Sequence, residues 1–81
     1  MSSNNLDKYI GSYKEAFEVE ETVINEKLEY QSIPEWDSIG HMGLIAALEE
    51  AYDISIDTDD VIDFSSFEKG KEILRKYKID L

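Results

Sequence analysis

The sequence predicts an all-α fold, a small four-helix bundle made of three main helices and one short helix. Three observations carry that expectation. Apolar residues recur at helical spacing in the N-terminal, central and C-terminal stretches. Residues that favour helix starts (Asn, Asp and Ser) stand at or just before the beginnings of these stretches. The chain has 81 residues, 42% of them hydrophobic, which is enough for one packed domain with a modest core and too little for two.

Taken in order, Leu6, Ile10, Tyr13 and Phe17 predict an amphipathic first helix over about residues 4–17, with Asn4 or Asn5 as its N-cap. Residues 18–37 lack sustained periodicity. They read as a long loop with room for one helical turn, anchored by Val23, Ile24, Leu28, Tyr30 and Ile33. Pro34 biases Ile33 towards extended backbone, and loops of this length are uncommon in compact domains and often functional.

Asp37 and Ser38 open a second helix, 38–52, and good helix formers continue to Tyr52. Steps of about 100° per residue sort its side chains into three stripes. Leu44, Ile45, Leu48, Ala51 and Tyr52 form the core face. Gly40, Gly43 and Ala47 make a stripe of small residues, and two glycines inside a helix cost about 1 kcal/mol each relative to alanine. Ile39, Met42 and Ala46 fall on a third side beside Glu49, Glu50 and Asp53. An apolar strip ringed by acids and turned away from the core is what a docking surface requires.

Asp57 or Thr58 caps a short helix, 58–63, containing Val61 and Ile62. Ser65-Ser66-Phe67-Glu68 matches a capping box with Ser65 as N-cap and Glu68 at the third helical position. The last helix then spans 66–78, with Phe67, Gly70, Ile73, Leu74 and Tyr77 inward. Its late basic residues Arg75, Lys76 and Lys78 suit the negative end of the helix dipole. No internal repeat or low-complexity tract divides the chain.

Composition narrows the chemistry. The chain has no cysteine, which excludes a disulfide, a thiolate metal site and a cysteine nucleophile. The N-terminus lacks a basic segment followed by an apolar run, and no stretch approaches the roughly 20 apolar residues that span a bilayer. A soluble cytoplasmic protein is expected. A net charge of −11 disfavours nucleic acid and anionic membrane as partners. The charge is also uneven: from Glu35 to Asp63 there are many acids and no Lys or Arg, whereas Lys69, Lys71, Arg75, Lys76 and Lys78 gather near the C-terminus.

The most informative stretch is Trp36-Asp37-Ser38-Ile39-Gly40-His41-Met42. Asp-Ser-Ile alone is a common tripeptide. Here it opens a helix after a long loop and is followed by Leu44, Leu48-Glu49-Glu50, Tyr52-Asp53, Ile56 and the Ser65-Ser66 turn. In these features the sequence resembles the acyl carrier protein family, from the first helix to about Leu74. The resemblance implies that Ser38 is esterified with 4′-phosphopantetheine by a phosphopantetheinyl transferase. It implies further that the chain, not itself an enzyme, carries acyl or aminoacyl groups as thioesters. Its expected partners are an activating ligase and synthase or transferase enzymes with basic docking patches, and it is expected to be monomeric. By the same resemblance Asp37 helps to position metal and hydroxyl during transfer of the arm. Ile39, Met42 and Ala46 are implied to dock partners, with the surrounding acids meeting their basic patches.

The residues agree with this on physical grounds. A serine at a loop–helix junction is exposed, and an ester phosphate there lies near unpaired helix N–H groups. As a mere N-cap, Ser38 would contribute about 1 kcal/mol. Gly40, His41 and Gly43 depart from the acidic or small polar residues frequent in fatty-acid carriers. With Trp36 they resemble free-standing carriers of specialised lipid, polyketide or surface-polysaccharide pathways. Peptidyl carriers typically read Gly-Gly-x-Ser, unlike this chain. His41 falls on the core side and reads as a partly buried structural imidazole, the other reading being a role near the phosphate or in pH-dependent helix stability. A serine hydrolase built on Ser38 and His41 lacks any recognisable oxyanion site. Asp57-Thr58-Asp59-Asp60 lacks the glycine and terminal Glu of a calcium loop, and no dedicated metal site is expected. Tyr52, Phe64 and Phe67 either fill the interior or line a pocket. The other reading compatible with the sequence is an acidic helical adaptor that binds a basic protein, with Ser38 purely structural.

Overall fold

A computed structural model describes residues 2–81, with side chains from residue 5 onward. It is a four-helix arrangement: α1 Ser2–Phe17, α2 Ser38–Tyr52, α3 Thr58–Asp63 and α4 Phe67–Lys76. A single 3-10 turn, Glu21–Val23, interrupts the long loop between α1 and α2. The predicted bundle and the bounds of α2 and α3 agree with the sequence reading. No helix among the described residues is long and apolar enough to cross a membrane.

Several local expectations are corrected. Asn4 and Asn5 both lie inside α1, so neither is its N-cap. The Asn5 side chain instead donates to the Asp80 carbonyl at 3.1 Å, joining the two ends of the chain. The buried stripe of α1 is also rotated. Tyr9 and Tyr13 are fully buried with Phe17, whereas Ile10 is half-buried and Leu6 is exposed. The reason lies in long-range polar pairing. The Tyr9 hydroxyl donates to the Phe67 carbonyl at 2.5 Å, and the Tyr13 hydroxyl then donates to Tyr9 at 2.9 Å. Two phenols can therefore sit in the core with every polar atom satisfied. Burial pushes both well above the ordinary tyrosine pKa.

The capping box is shifted by one residue. Ser66, not Ser65, is the N-cap of α4, and its hydroxyl accepts from the Lys69 N–H at 3.0 Å. Backbone pairing with the loop sets this register. Tyr30 N–H donates to the Ser65 carbonyl, Phe67 N–H donates to the Leu28 carbonyl, and Glu29 and Ser66 form an antiparallel bridge. Ser66 is thus held extended against the loop, and the helix begins at Phe67. At its other end α4 stops at Lys76 rather than 78. Lys78 adopts a left-handed conformation (φ 67°), and the Ile79 N–H returns to the Leu74 carbonyl. That reversal carries Ile79 back into the core.

Aromatic rings fill the centre. Trp36, from the loop, meets Tyr13 and Phe17 at centroid distances of 5.5 Å, and Tyr9 and Tyr13 pack on Phe67. Ile24 and Leu28 anchor the loop from beneath. Gly70 of α4 is required where it stands: a β-carbon there would run into the Tyr9 hydroxyl and the Phe64 ring. Phe64 and Phe67 are interior residues, whereas Tyr52 is half-buried and donates to the Asn5 carbonyl at 2.5 Å. Partial burial pushes the Tyr52 phenol up to about 12.

Candidate functional site

Asp37 is the N-cap of α2. Its backbone is extended, and its carboxylate accepts the Gly40 N–H at 2.7 Å. Ser38 is the first residue of the helix and is exposed. Gly40 is needed for this junction, because a β-carbon there would collide with the Glu35 carbonyl of the incoming loop. Gly43, the second glycine of the same stripe, faces open space. Close approach along this stripe is therefore confined to Gly40, and its partner is the preceding loop.

Behind Ser38 stands a polar chain that ties loop, α2 and α3 together. The indole N–H of Trp36 donates to His41 Nδ1 at 2.9 Å. Because the indole can only donate, His41 is the neutral tautomer with its proton on Nε2. That proton goes to the Val61 carbonyl of α3 at 2.8 Å. His41 is thus a structural, half-buried imidazole, and both ring nitrogens are occupied. Tyr30 packs edge-on against His41 and Trp36, at 5.5 and 6.4 Å between ring centroids. Its hydroxyl lies 3.1 Å from Ser38 Oγ.

The same Tyr30 ring lines a pocket of about 250 Å³ together with His41, Val61, Ile62, Phe64 and Ser65. The lining is mainly apolar and belongs to the loop, α2, α3 and the α3–α4 turn. Ser38 does not line the pocket; its hydroxyl is hydrogen-bonded to Tyr30, which does. Neither Tyr30 nor Ile62 was singled out for the site from the sequence. Helical periodicity says nothing about a residue in an irregular loop, and Ile62 reads as an ordinary apolar helix position.

The proposed docking strip lies where the helical wheel puts it. Ile39 is 84% exposed, Met42 59% exposed, and Ala46 is exposed one turn further on. On α3, Ile62 is 73% exposed. Glu50 is exposed as well, but the other two acids have structural duties. Glu49 is half-buried and accepts the Ile56 N–H at 2.8 Å. Asp53 ends α2 in a left-handed conformation (φ 53°), its N–H returning to the Glu49 carbonyl.

Among the acids of the 57–60 run, Asp57 stands at the N-cap of α3 without a side-chain capping bond. Asp60 turns inward, accepting from Lys76 Nζ at 2.5 Å and the Tyr77 hydroxyl at 2.6 Å. These two donors hold its carboxyl below the usual carboxylate range. Asp60 therefore belongs to the bolt between α3 and α4 and is not a free surface ligand. Comparison of the chain with protein-family models, curated proteins and solved structures finds no match.

Proposed function

We propose that the protein is an acyl carrier whose 4′-phosphopantetheine arm is borne by Ser38. One observation carries the reading: an exposed serine opens α2, capped by Asp37, beside an exposed apolar strip and hydrogen-bonded to Tyr30, which lines an apolar pocket. The residues fit the group. Ser38 Oγ is accessible, and the first-turn N–H groups of α2 lack acceptors within the helix. The pocket next to it offers apolar lining for a flexible chain anchored at that point.

In the attachment step Ser38 Oγ attacks the phosphorus of coenzyme A that bears the pantetheine. A new Oγ–P bond forms, the pyrophosphate P–O bond breaks, and adenosine 3′,5′-bisphosphate leaves. A base on the transferase takes the serine proton. When attached, the arm supplies the thiol that the cysteine-free chain lacks, and acyl groups are held there as thioesters. The chain's own part is to present Ser38, to fix the loop–helix junction through Asp37 and Gly40, and to offer Ile39, Met42 and Ala46 to partner enzymes. Those partners are a phosphopantetheinyl transferase, an acyl- or aminoacyl-activating ligase and the enzymes that use the loaded chain. Basic docking surfaces on them complement the acids around the strip.

The test is intact mass before and after incubation with coenzyme A, magnesium and a broad-specificity phosphopantetheinyl transferase, followed by peptide mapping. A single phosphopantetheine adduct on the Ser38 peptide is expected. Ser38→Ala is expected to stay folded and to gain no adduct. Folded wild-type protein that stays unmodified with several transferases would make the acidic adaptor the better account.

A further inference from the structure

We propose that Tyr30 is a positioning residue for the chemistry at Ser38, holding the serine hydroxyl before the arm is attached and donating to the ester phosphate afterwards. This rests on the carrier reading above and goes beyond it by assigning a role to a loop residue. The phenol and Ser38 Oγ are 3.1 Å apart, and among the described residues Tyr30 is the one side chain bonded to that hydroxyl.

The placement of Tyr30 is enforced from several sides. Its backbone N–H is fixed to the Ser65 carbonyl at 2.9 Å. The next residue, Gln31, adopts a left-handed conformation (φ 65°), and its N–H donates to the Trp36 carbonyl. The ring is wedged edge-on against Trp36 and His41, which are themselves bonded to each other and to α3. A phenol held this way is pre-organised rather than a chance surface contact. An exposed serine otherwise samples three staggered rotamers. With Tyr30 as donor, one lone pair of Oγ is engaged, its rotamer is selected, and its own proton stays free for the transferase's base. After transfer the same Oγ is the bridging oxygen of an anionic diester. A phenol within hydrogen-bond reach of it then has a charged acceptor in place of a neutral one, and such bonds are stronger.

The decisive comparison is wild type against Tyr30→Phe, which keeps the ring and its packing and removes only the hydroxyl. With one transferase and coenzyme A, the variant is expected to load about five-fold more slowly, the size of one ordinary hydrogen bond. The loss should fall in kcat, with KM unchanged and the melting temperature within about 2 °C of wild type. Equal loading rates would overturn the proposal. So would a loss confined to KM, or one that tracks a matching drop in melting temperature. A second readout needs no variant. In protein labelled with ¹³C at the tyrosine ζ carbon, the Tyr30 resonance should move between the unmodified and modified forms while the other tyrosines stay. A stationary Tyr30 resonance would overturn the proposal. Wild-type protein that accepts no arm would sink the carrier reading instead, so the two failures are distinguishable.

Discussion

The side of the molecule between α1, α4 and the long loop is closed by aromatic rings, and the phenols among them have partners inside the core. The side formed by α2 and α3 is open, with Ile39, Met42 and Ile62 in solvent among acids. Both sides carry large apolar residues at helical spacing, so hydrophobicity alone does not separate them. What separates them is whether a second element arrives to cover the stripe. The loop and α4 cover Tyr9, Tyr13 and Phe17. Nothing among the described residues covers Met42. On the carrier proposal, apolar side chains left in water beside Ser38 are the contacts that a partner enzyme would cover.

The contrast can be broken most forcefully on the closed side. Gly70→Ala places a methyl group against the Tyr9 hydroxyl and the Phe64 ring. Overpacking of this kind costs about 1–3 kcal/mol, and displacing the Tyr9–Phe67 hydrogen bond adds to it. Thermal unfolding should show a melting temperature lower by about 10–20 °C. An unchanged value would mean that the closed side has slack, and the contrast would lose its basis.

A smaller effect is expected at the bolt between α3 and α4. Lys76 and Tyr77 lower the Asp60 pKa in the folded state from its ordinary 3.8. A carboxyl lowered on folding stabilises the fold fully above its unfolded value and loses that contribution as pH falls through the lowered one. Wild type should therefore exceed Asp60→Asn in urea midpoint at neutral pH, and the gap should shrink below about pH 4. A gap that stays constant down to pH 2 would assign the effect to packing rather than to charge.

Gly43 tests the open side with the opposite sign. It stands inside α2 with nothing near a potential β-carbon. Gly43→Ala should raise stability by about 1 kcal/mol through helix propensity. A loss would reveal a neighbour that the open face does not show, and the same alanine at Gly40 should be harmful because the Glu35 carbonyl is in the way.

How much of this was legible in the sequence follows the range of the forces involved. The bounds of α2 were readable because Asp37 and Ser38 act on the backbone within one turn. The stripe of Ile39, Met42 and Ala46 was readable because it needs only helical geometry. The N-cap of α4 lies one residue beyond the capping-box position because Leu28 and Tyr30, far away in sequence, pair with the backbone of residues 65–67. Helical spacing selects Leu6 rather than Tyr9, because the burial of Tyr9 depends on an acceptor at Phe67. His41 is half-buried as its place on the helical wheel implies, but its partners Trp36 and Val61 come from a loop and another helix. The contact between Tyr30 and Ser38 had no sequence signal at all, since it exists only once the loop is folded back over the start of α2.

The finest test of the contrast is Met42→Glu, where little should happen to the fold and much to recognition. Met42 is 59% exposed and lies on the strip turned away from the core. Exchange of an exposed side chain away from caps and core contacts changes stability by no more than about 0.5 kcal/mol. If the open face serves basic partners that also need an apolar contact, the added charge removes that contact while leaving the acids in place. The transferase KM should then rise by about tenfold or more, as when an anchoring side chain is lost from an interface, with the melting temperature almost unmoved. A Met42→Glu chain that melts well below wild type would show α2 to be covered at this point. One that melts normally and loads with an unchanged KM would show the open face to be unused by the proposed transferase.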